Sequence, residues 1–153
     1  MINLKLAEEG DFEDLKKMSL SFLDESPYRD FKRDNSKIDT LVNSFLVTDK
    51  EKVCIIATYK NKPIGMIAGV ISESLFSQDQ VASELVWWID PKNRRKSKAA
   101  LELLGAFEHW AKISGAVFIQ MQCLPGLNGD TVGRIYERLG YKLTEIAYVK
   151  ELN

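Results

Sequence analysis

The sequence has 153 residues, of which 45% are hydrophobic, and a formal net charge of −1 from 21 basic and 22 acidic residues. A chain of this length usually forms one domain, so we expect residues 1–153 to be a single domain, and its balanced charge makes nucleic-acid binding unlikely. The N-terminus shows no signal peptide, no apolar run reaches the ~20 residues of a membrane span, and two cysteines with one histidine do not make a usual zinc site. We therefore expect a cytoplasmic protein without membrane contact or a metal site.

Apolar residues recur with the period of a strand or a helix in successive segments that turn-forming residues separate. In chain order the predicted elements are a strand at Ile2–Leu6, helices at Asp11–Leu23 and Ser36–Leu46, strands at Val53–Tyr59, Ile64–Ser72 and Glu84–Ile89, a helix at Ser97–Ile113, a strand at Ala116–Cys123, a helix at Asp130–Leu139 and a strand at Leu143–Leu152. The order β-α-α-β-β-β-α-β-α-β, with a strand–helix–strand crossover near its centre, predicts an α/β (α+β) domain with a mixed central sheet flanked by helices.

A basic connection follows the predicted strand Glu84–Ile89 and opens directly into the next helix. Its five cationic side chains are Lys92, Arg94, Arg95, Lys96 and Lys98. Cations are mildly unfavourable at a helix N-terminus, where backbone N–H groups lack partners and the dipole is positive. A bound anion such as a phosphate would reverse that balance, whereas a solvated surface loop explains the same residues equally well. The P-loop and GxGxxG fingerprints of common nucleotide sites are both absent.

The element order and this strand–basic loop–helix unit resemble the GNAT family of N-acetyltransferases. That family carries Gln/Arg-x-x-Gly-x-Gly/Ala at this point and binds the pyrophosphate of acetyl-CoA through its backbone amides. Arg95–Ala100 is the best register for the motif, and Arg94–Ala99 is a register one residue earlier. Downstream, Ile135–Tyr141 resembles a second family signature that contains a tyrosine. The resemblance covers almost the whole chain and is closest to small GNAT proteins of bacteria and phages.

The resemblance implies that acetyl-CoA is the acetyl donor and that no metal takes part. The residues it implies for coenzyme binding are Trp88, Ile89, Arg94, Arg95, Lys96, Ser97, Lys98, Ala99, Ala100 and Asn128. The chain departs from the motif at both glycines, which are replaced by Ser97 or Lys98 and by Ala99 or Ala100, depending on the register. Glycine tolerates positive φ and a close approach of the ligand that serine or lysine does not, so the replacements put coenzyme affinity in question.

The resemblance also assigns catalytic roles. Glu84 lies where some family members place a glutamate that acts as general base through water, and Tyr136 matches the tyrosine that protonates the leaving thiolate. A backbone N–H in the Trp88–Ile89 region would meet the oxyanion. Each side chain also has a structural interpretation: Glu84 as a solvent-facing strand residue, Tyr136 as a packing residue in an apolar helix stripe, and Asn128 as a turn asparagine.

Substrate selection in this fold comes from the segment between the first two helices and the loop after the third strand. Here these hold Asp24–Tyr28 and Glu73–Phe76. Acidic residues with aromatics suit a cationic amine such as a lysine, a polyamine or a peptide N-terminus, although a solvated acidic loop accounts for the same residues. Trp87 and Trp88 are predicted to point to opposite faces of their strand, one into the core and one toward a groove.

Three functions are compatible with the sequence. We favour an acetyl-CoA-dependent N-acetyltransferase that acts on a small-molecule or peptide amine by direct transfer in a ternary complex. A non-catalytic or inhibitory protein of the same fold, acting on a protein partner, would explain the lost glycines. An RNA- or tRNA-directed acyltransferase would need a larger basic patch than this connection provides. The sequence does not decide between a monomer and a homodimer.

Overall fold

The structure, a computed structural model, describes residues 1–95, 98–124 and 126–153. Short 3₁₀ turns at Glu9–Asp11, Pro27–Asp30 and Pro91–Asn93 lie between the main elements. The main elements are β1 (Ile2–Leu6), α1 (Phe12–Glu25), α2 (Asn35–Ser44), β2 (Lys52–Tyr59), β3 (Lys62–Glu73), β4 (Gln80–Ile89), α3 (Ala99–Ile113), β5 (Phe118–Gln120) and α4 (Gly129–Arg138). The predicted α+β class, with a mixed sheet flanked by helices, is confirmed.

The strands form a five-stranded sheet in the order β1-β2-β3-β4-β5. The pairs β1–β2, β2–β3 and β3–β4 are antiparallel, whereas β4 and β5 are parallel. Parallel neighbours need a crossover connection, and α3 supplies it. The basic connection therefore leaves the sheet at the carboxyl end of β4 and leads into the crossover helix.

Helices cover both faces of this sheet. On one face α3 packs its fully buried Phe107 into a cluster with Ile67 of β3, and on the other α1 packs Phe22 into a cluster with Ile56 of β2. Gly69 permits the close approach of α3, because a Cβ at that position would lie 2.5 Å from the Phe107 ring. The strands between the two layers are apolar on both sides, which explains their nearly continuous hydrophobic sequence.

A bulge interrupts the pairing of β3 with β4. Ala68 pairs with Val86 and Gly69 pairs with Glu84, so Leu85 is an extra residue on β4. A bulge of this kind bends the strand, increases its local twist and redirects the side chains beyond it. The pairing of β4 with β5 ends at Ser83, directly before this bulge.

The two parallel strands consequently share only a short ladder, in which Val81–Ser83 pairs with Phe118–Gln120. Beyond that ladder, no backbone pairing among the described residues joins Glu84–Ile89 of β4 to residues 121–124 after β5. We call the opening between these two segments the β4–β5 cleft. On both sides of this cleft, the backbone N–H and C=O groups that a longer β4–β5 ladder would pair are available to other partners.

The predicted strand at Leu143–Leu152 is wrong, because residues 141–153 have no regular secondary structure. The strand predicted at Ala116–Cys123 is also shorter, since only Phe118–Gln120 pairs. Both segments have a β-type sequence, but a strand forms only where its backbone groups meet a neighbouring ladder. The prediction for β4 errs in the other direction, since the strand begins at Gln80. Among the described residues, no helix has the length and apolar character needed to cross a bilayer.

Candidate active site

Glu84 occupies the β4–β5 cleft at the point where the ladder ends. Its side chain is only 5% exposed, so the interpretation as a solvent-facing residue is wrong. Its carboxylate Oε2 accepts a hydrogen bond from the backbone N–H of Gln122 at 3.2 Å. Burial raises the pKa of this carboxyl from 4.5 to about 7, against a smaller lowering by the Gln122 N–H. A carboxyl group that ionises near neutral pH is suited to general-base chemistry.

Tyr136 reaches the same cleft from α4. Its side chain is buried, its hydroxyl donates a hydrogen bond to the carbonyl of Gln122 at 2.8 Å, and its ring lies 5.9 Å from that of Trp87. Burial raises the pKa of the phenol well above its ordinary value, and the nearby Glu84 adds to the shift. The hydroxyl therefore keeps its proton at neutral pH, as a proton donor must.

Gln122 connects the two candidate catalytic side chains through its peptide groups. Its N–H binds Glu84 and its carbonyl accepts from Tyr136. In a continuous parallel ladder these groups would pair with β4, and they are available because the strands diverge. Sequence reasoning missed Gln122, since a backbone contribution has no residue signature.

The two tryptophans of β4 point to opposite faces of the sheet, as predicted. Trp88 packs in the cluster under α1 and α2, and its Nε1 donates to Oε1 of Glu25 at 2.9 Å. Trp87 packs on the α3 side. Its Nε1 is buried and has no hydrogen-bond partner within the part of the chain that the structure describes.

Arg94 links the end of β4 to the end of α1. Its Nε donates to the carbonyl of Ile89 at 2.8 Å, and its Nη2 donates to both carboxylate oxygens of Glu25, at 2.8 and 3.0 Å. Sequence reasoning placed Arg94 among the coenzyme ligands and missed its pairing with Glu25. The two residues are 69 positions apart, so no local pattern connects them.

The start of α3 retains exposed cations. Arg95 and Lys98 are both exposed, whereas Lys96 and Ser97 lie outside the described residues. Lys98 is the N-cap of α3 with φ −83° and ψ 9°, and its carbonyl accepts a hydrogen bond from the N–H of Glu102 at 3.0 Å. Any L-residue adopts this φ, so lysine at the glycine position of the Arg95 register introduces no backbone strain.

The neighbouring alanines differ in their environment. Ala99 is fully buried in the cluster under α3, whereas Ala100 is half-buried at the edge of that cluster. The arginines that open the two registers also differ, since Arg94 is paired with Glu25 whereas Arg95 is exposed. Asn128 is exposed at the start of α4 with φ 57° and ψ 40°, a left-handed conformation that asparagine tolerates, which agrees with its interpretation as a turn residue.

In the segment Asp24–Tyr28, which was predicted to contact the acceptor, both acidic side chains are paired with arginines. Asp24 forms an ion pair with Arg33, and Glu25 forms one with Arg94. Both carboxylates already have a cationic partner, which weakens the sequence argument that this segment attracts a cationic amine. In the second predicted segment, Phe76 is 96% exposed at the loop between β3 and β4.

Across the described ranges, no group of three His, Cys, Asp or Glu side chains is arranged to hold a metal ion.

Cys54 is buried, as expected for a small core residue. Cys123 is exposed, and its Sγ donates to the carbonyl of Gly129 at 3.4 Å. Cys123 therefore lies at the rim of the cleft, outside the core.

Solved structures share this fold, although no protein-family model matches the sequence and no curated protein matches it significantly. The aminoglycoside acetyltransferase AAC(6')-Iy, solved with a CoA bisubstrate analogue, has a TM-score of 0.78 at 13% identity, covering 100% of this chain and 99% of that one. A transcriptional regulator from Bacillus halodurans has a TM-score of 0.78 at 20% identity, covering 99% and 100%. A ribosomal-protein-alanine N-acetyltransferase from Brucella melitensis biovar Abortus has a TM-score of 0.70 at 12% identity, covering 99% and 100%. The chain therefore has the fold of the GNAT acetyltransferases, as its sequence motifs implied.

Proposed function

We propose that residues 1–153 form one domain that transfers an acetyl group from acetyl-CoA to a primary amine. The observation that carries the proposal is the buried carboxylate of Glu84 in the β4–β5 cleft, with a pKa near 7. The shared fold supports it, because structures of this fold include an aminoglycoside acetyltransferase solved with CoA.

Glu84 takes the proton that the amine must lose before it can attack. An alkylammonium group has an ordinary pKa of ~10.4, so at neutral pH it is almost fully protonated and unreactive. A carboxylate with a pKa near 7 is a stronger base than an ordinary glutamate and is still largely ionised above neutral pH. It accepts the proton directly or through one water molecule.

Two further groups act on the reaction centre. When bound, acetyl-CoA supplies the thioester that the amine attacks. A backbone N–H of the Trp88–Ile89 region donates to the developing oxyanion, a type of contact that contributes about 2.7–4 kcal/mol. Tyr136 donates its proton to the departing sulfur, exchanging its hydrogen bond to the Gln122 carbonyl for that contact. The ammonium loses one proton to Glu84 before it attacks. The second proton leaves the nitrogen as the tetrahedral intermediate collapses, and it replaces the proton that Tyr136 gives to the sulfur.

The start of α3 fits the coenzyme phosphates. Arg95 and Lys98 are exposed cations beside the positive end of a 15-residue helix, an arrangement that attracts phosphate. The ordinary φ of Lys98 answers the part of the objection that concerns backbone conformation. Arg94, held by Glu25 and Ile89, shapes this turn and leaves the phosphates to Arg95.

The acceptor is a primary amine on a small molecule or a peptide. Structures of the same fold include acetyltransferases for aminoglycosides and for a ribosomal-protein alanine, so both classes belong in a substrate panel. Because Asp24 and Glu25 are paired with arginines, the acceptor need not be a polycation.

The test measures acetyl transfer by mass spectrometry of the acetylated amine. A thiol reagent that detects released CoA is unsuitable, because it would also react with the exposed Cys123. The protein is incubated with acetyl-CoA and an aminoglycoside, spermidine, leucinamide and a peptide that begins with alanine. Glu84→Gln is compared with Glu51→Gln, which removes an exposed carboxylate at the bend before β2.

We expect one or more of these amines to be acetylated, with a loss of ~100-fold or more in Glu84→Gln and little change in Glu51→Gln. Full activity in Glu84→Gln would reject its role as base. Tight acetyl-CoA binding without transfer to any amine would favour the non-catalytic alternative.

A further inference from the structure

A single carboxylate at the end of α1 connects three segments that surround the candidate site. Glu25 is the last residue of α1, directly before the turn at Pro27–Asp30. Its Oε1 accepts from Nε1 of Trp88 at 2.9 Å, and its two oxygens accept from Nη2 of Arg94 at 3.0 and 2.8 Å. These partners lie 63 and 69 positions further along the chain. Glu25 therefore joins the end of α1 to the end of β4 and to the basic connection.

The first of these contacts fixes the end of β4, where the proposed oxyanion donor lies. Trp88 is buried, and Glu25 accepts from its indole N–H. The Nε of Arg94 donates to the carbonyl of Ile89 at 2.8 Å, so the guanidinium bridges Glu25 and the last peptide group of the strand. On its other side the strand is held by β3, where Ile89 pairs with Gly65. A donor to an oxyanion must be placed to within a few tenths of an ångström, and these contacts supply that placement.

The second contact sets the start of the turn that leads toward the coenzyme phosphates. Oδ1 of Asp90 accepts from the N–H of Lys92 at 3.0 Å and so closes the 3₁₀ turn Pro91–Asn93. Arg94 follows this turn and is held by Glu25. Because Arg95 is the next residue, any change in the position of Arg94 alters the point from which Arg95 reaches a phosphate.

Stability alone is a poor explanation for this arrangement. The side chains of Glu25 and Arg94 are 29% and 27% exposed. The attraction within such a half-buried pair is largely offset by the cost of desolvating both charges, whereas hydrogen bonds to a carboxylate are directional and fix geometry. The ion pair of Lys16 with Asp39, at 2.7 Å, provides a comparison, because it joins α1 to α2.

We propose that Glu25 is a positioning residue for acetyl transfer, which holds the Trp88–Ile89 peptide groups at the oxyanion and Arg95 at the coenzyme phosphates. The inference rests on the proposed function, because it requires that these groups meet acetyl-CoA. Glu25 acts through Trp88 and Arg94 and touches neither the amine nor the thioester. Its effect can be large, since a displacement of about 1 Å at a reaction centre can reduce the rate ~100-fold.

The first test needs neither coenzyme nor acceptor. Heteronuclear NMR spectra of the wild type are compared with those of Glu25→Ala and Asp39→Ala. In Glu25→Ala we expect shifts of the Trp88 indole N–H and of the amides of Ile89 and Arg95, because the carboxylate that holds them is gone. In Asp39→Ala the same resonances should keep their wild-type positions. Unchanged resonances of Ile89 and Arg95 in Glu25→Ala would overturn the proposal.

The second test is steady-state kinetics with acetyl-CoA and the best amine of the panel above, well below the melting temperature of every variant. We expect Glu25→Ala to lower kcat ~10-fold or more and to weaken acetyl-CoA binding, with an unchanged KM for the amine. Glu25→Gln keeps a carbonyl that accepts from Trp88 and Arg94, so it should recover most of the lost kcat. Asp39→Ala should keep the wild-type kcat.

The outcomes separate this role from the others that Glu25 could have. A wild-type kcat in folded Glu25→Ala would overturn the proposal and leave the contact purely structural. An increased KM for the amine with kcat retained would also overturn it, because Glu25 would then bind the acceptor directly. A wild-type protein that neither binds acetyl-CoA nor acetylates any amine would reject the proposed function together with this role, and Asp39→Ala would be inactive as well.

Discussion

Replacement of Glu84 by glutamine tests whether the carboxyl is as buried as the structure shows. Its pKa is raised from 4.5 to about 7, mainly by burial. The native state therefore binds this proton more tightly than the unfolded state, and the free energy of unfolding falls as the pH rises from 4.5 toward 7. Each pH unit between 4.5 and 7 lowers the free energy of unfolding by about 1.4 kcal/mol. Above pH 7, the ionised carboxylate therefore destabilises the native state by about 3 kcal/mol.

Glutamine has no charge at any of these pH values, and its carbonyl can still accept from the Gln122 N–H. The stability of Glu84→Gln relative to wild type should therefore increase by about 3 kcal/mol between pH 4.5 and pH 8. For a chain of this size, that corresponds to roughly 6–12 °C in melting temperature. If burying the glutamine amide costs free energy, that cost is the same at every pH. The change with pH in the stability difference between Glu84→Gln and wild type therefore reports the ionisation of Glu84.

Thermal unfolding followed by circular dichroism from pH 4 to pH 8.5 measures this difference. Glu73→Gln is the control, and its profile should run parallel to that of the wild type because an exposed carboxylate is solvated in both states. A constant difference between Glu84→Gln and wild type across the range would refute the argument, since it would mean that the carboxyl ionises in the native state as it does in the unfolded state.

Three further substitutions separate structural roles from functional ones. Arg95→Ala should weaken acetyl-CoA binding roughly tenfold with an unchanged melting temperature, and equal affinity by calorimetry would reject the Arg95 register. Arg94→Ala should instead lower stability by about 1–3 kcal/mol, measured by urea unfolding, because it removes the donor to the Ile89 carbonyl and leaves Glu25 with only the Trp88 Nε1–H as partner. Tyr136→Phe should reduce turnover ~100-fold while coenzyme affinity is retained, and full activity would identify it as a core tyrosine.

The sequence was sufficient to predict most of the fold, because strand and helix periodicity are local properties. The apolar stripe of Asp130–Leu139 correctly placed Tyr136 on a helix. The final strand could not be predicted in this way, since its pattern describes the residues and says nothing about whether a neighbouring ladder is available. The prediction for Leu143–Leu152 therefore failed on pairing, although its apolar pattern is that of a strand.

The site was predictable only in part, because its geometry depends on residues distant in sequence. The position of Glu84 on a strand was correct, but its burial follows from the bulge at Leu85 and from the contact with Gln122, 38 residues away. The pairing of Glu25 with Arg94 changes the roles of both residues. It also partly neutralises the acidic segment Asp24–Tyr28 that the sequence suggested for the acceptor.

The most direct test of the proposed function is binding of acetyl-CoA, measured as thermal stabilisation of the wild-type protein. A ligand that binds only the native state adds about 2.7 kcal/mol at ~100 times its dissociation constant. For 153 residues we predict a rise in melting temperature of roughly 5–11 °C with acetyl-CoA, and a smaller one with adenosine. No shift with acetyl-CoA, or the same shift with adenosine, would contradict a coenzyme site at Arg95 and Lys98.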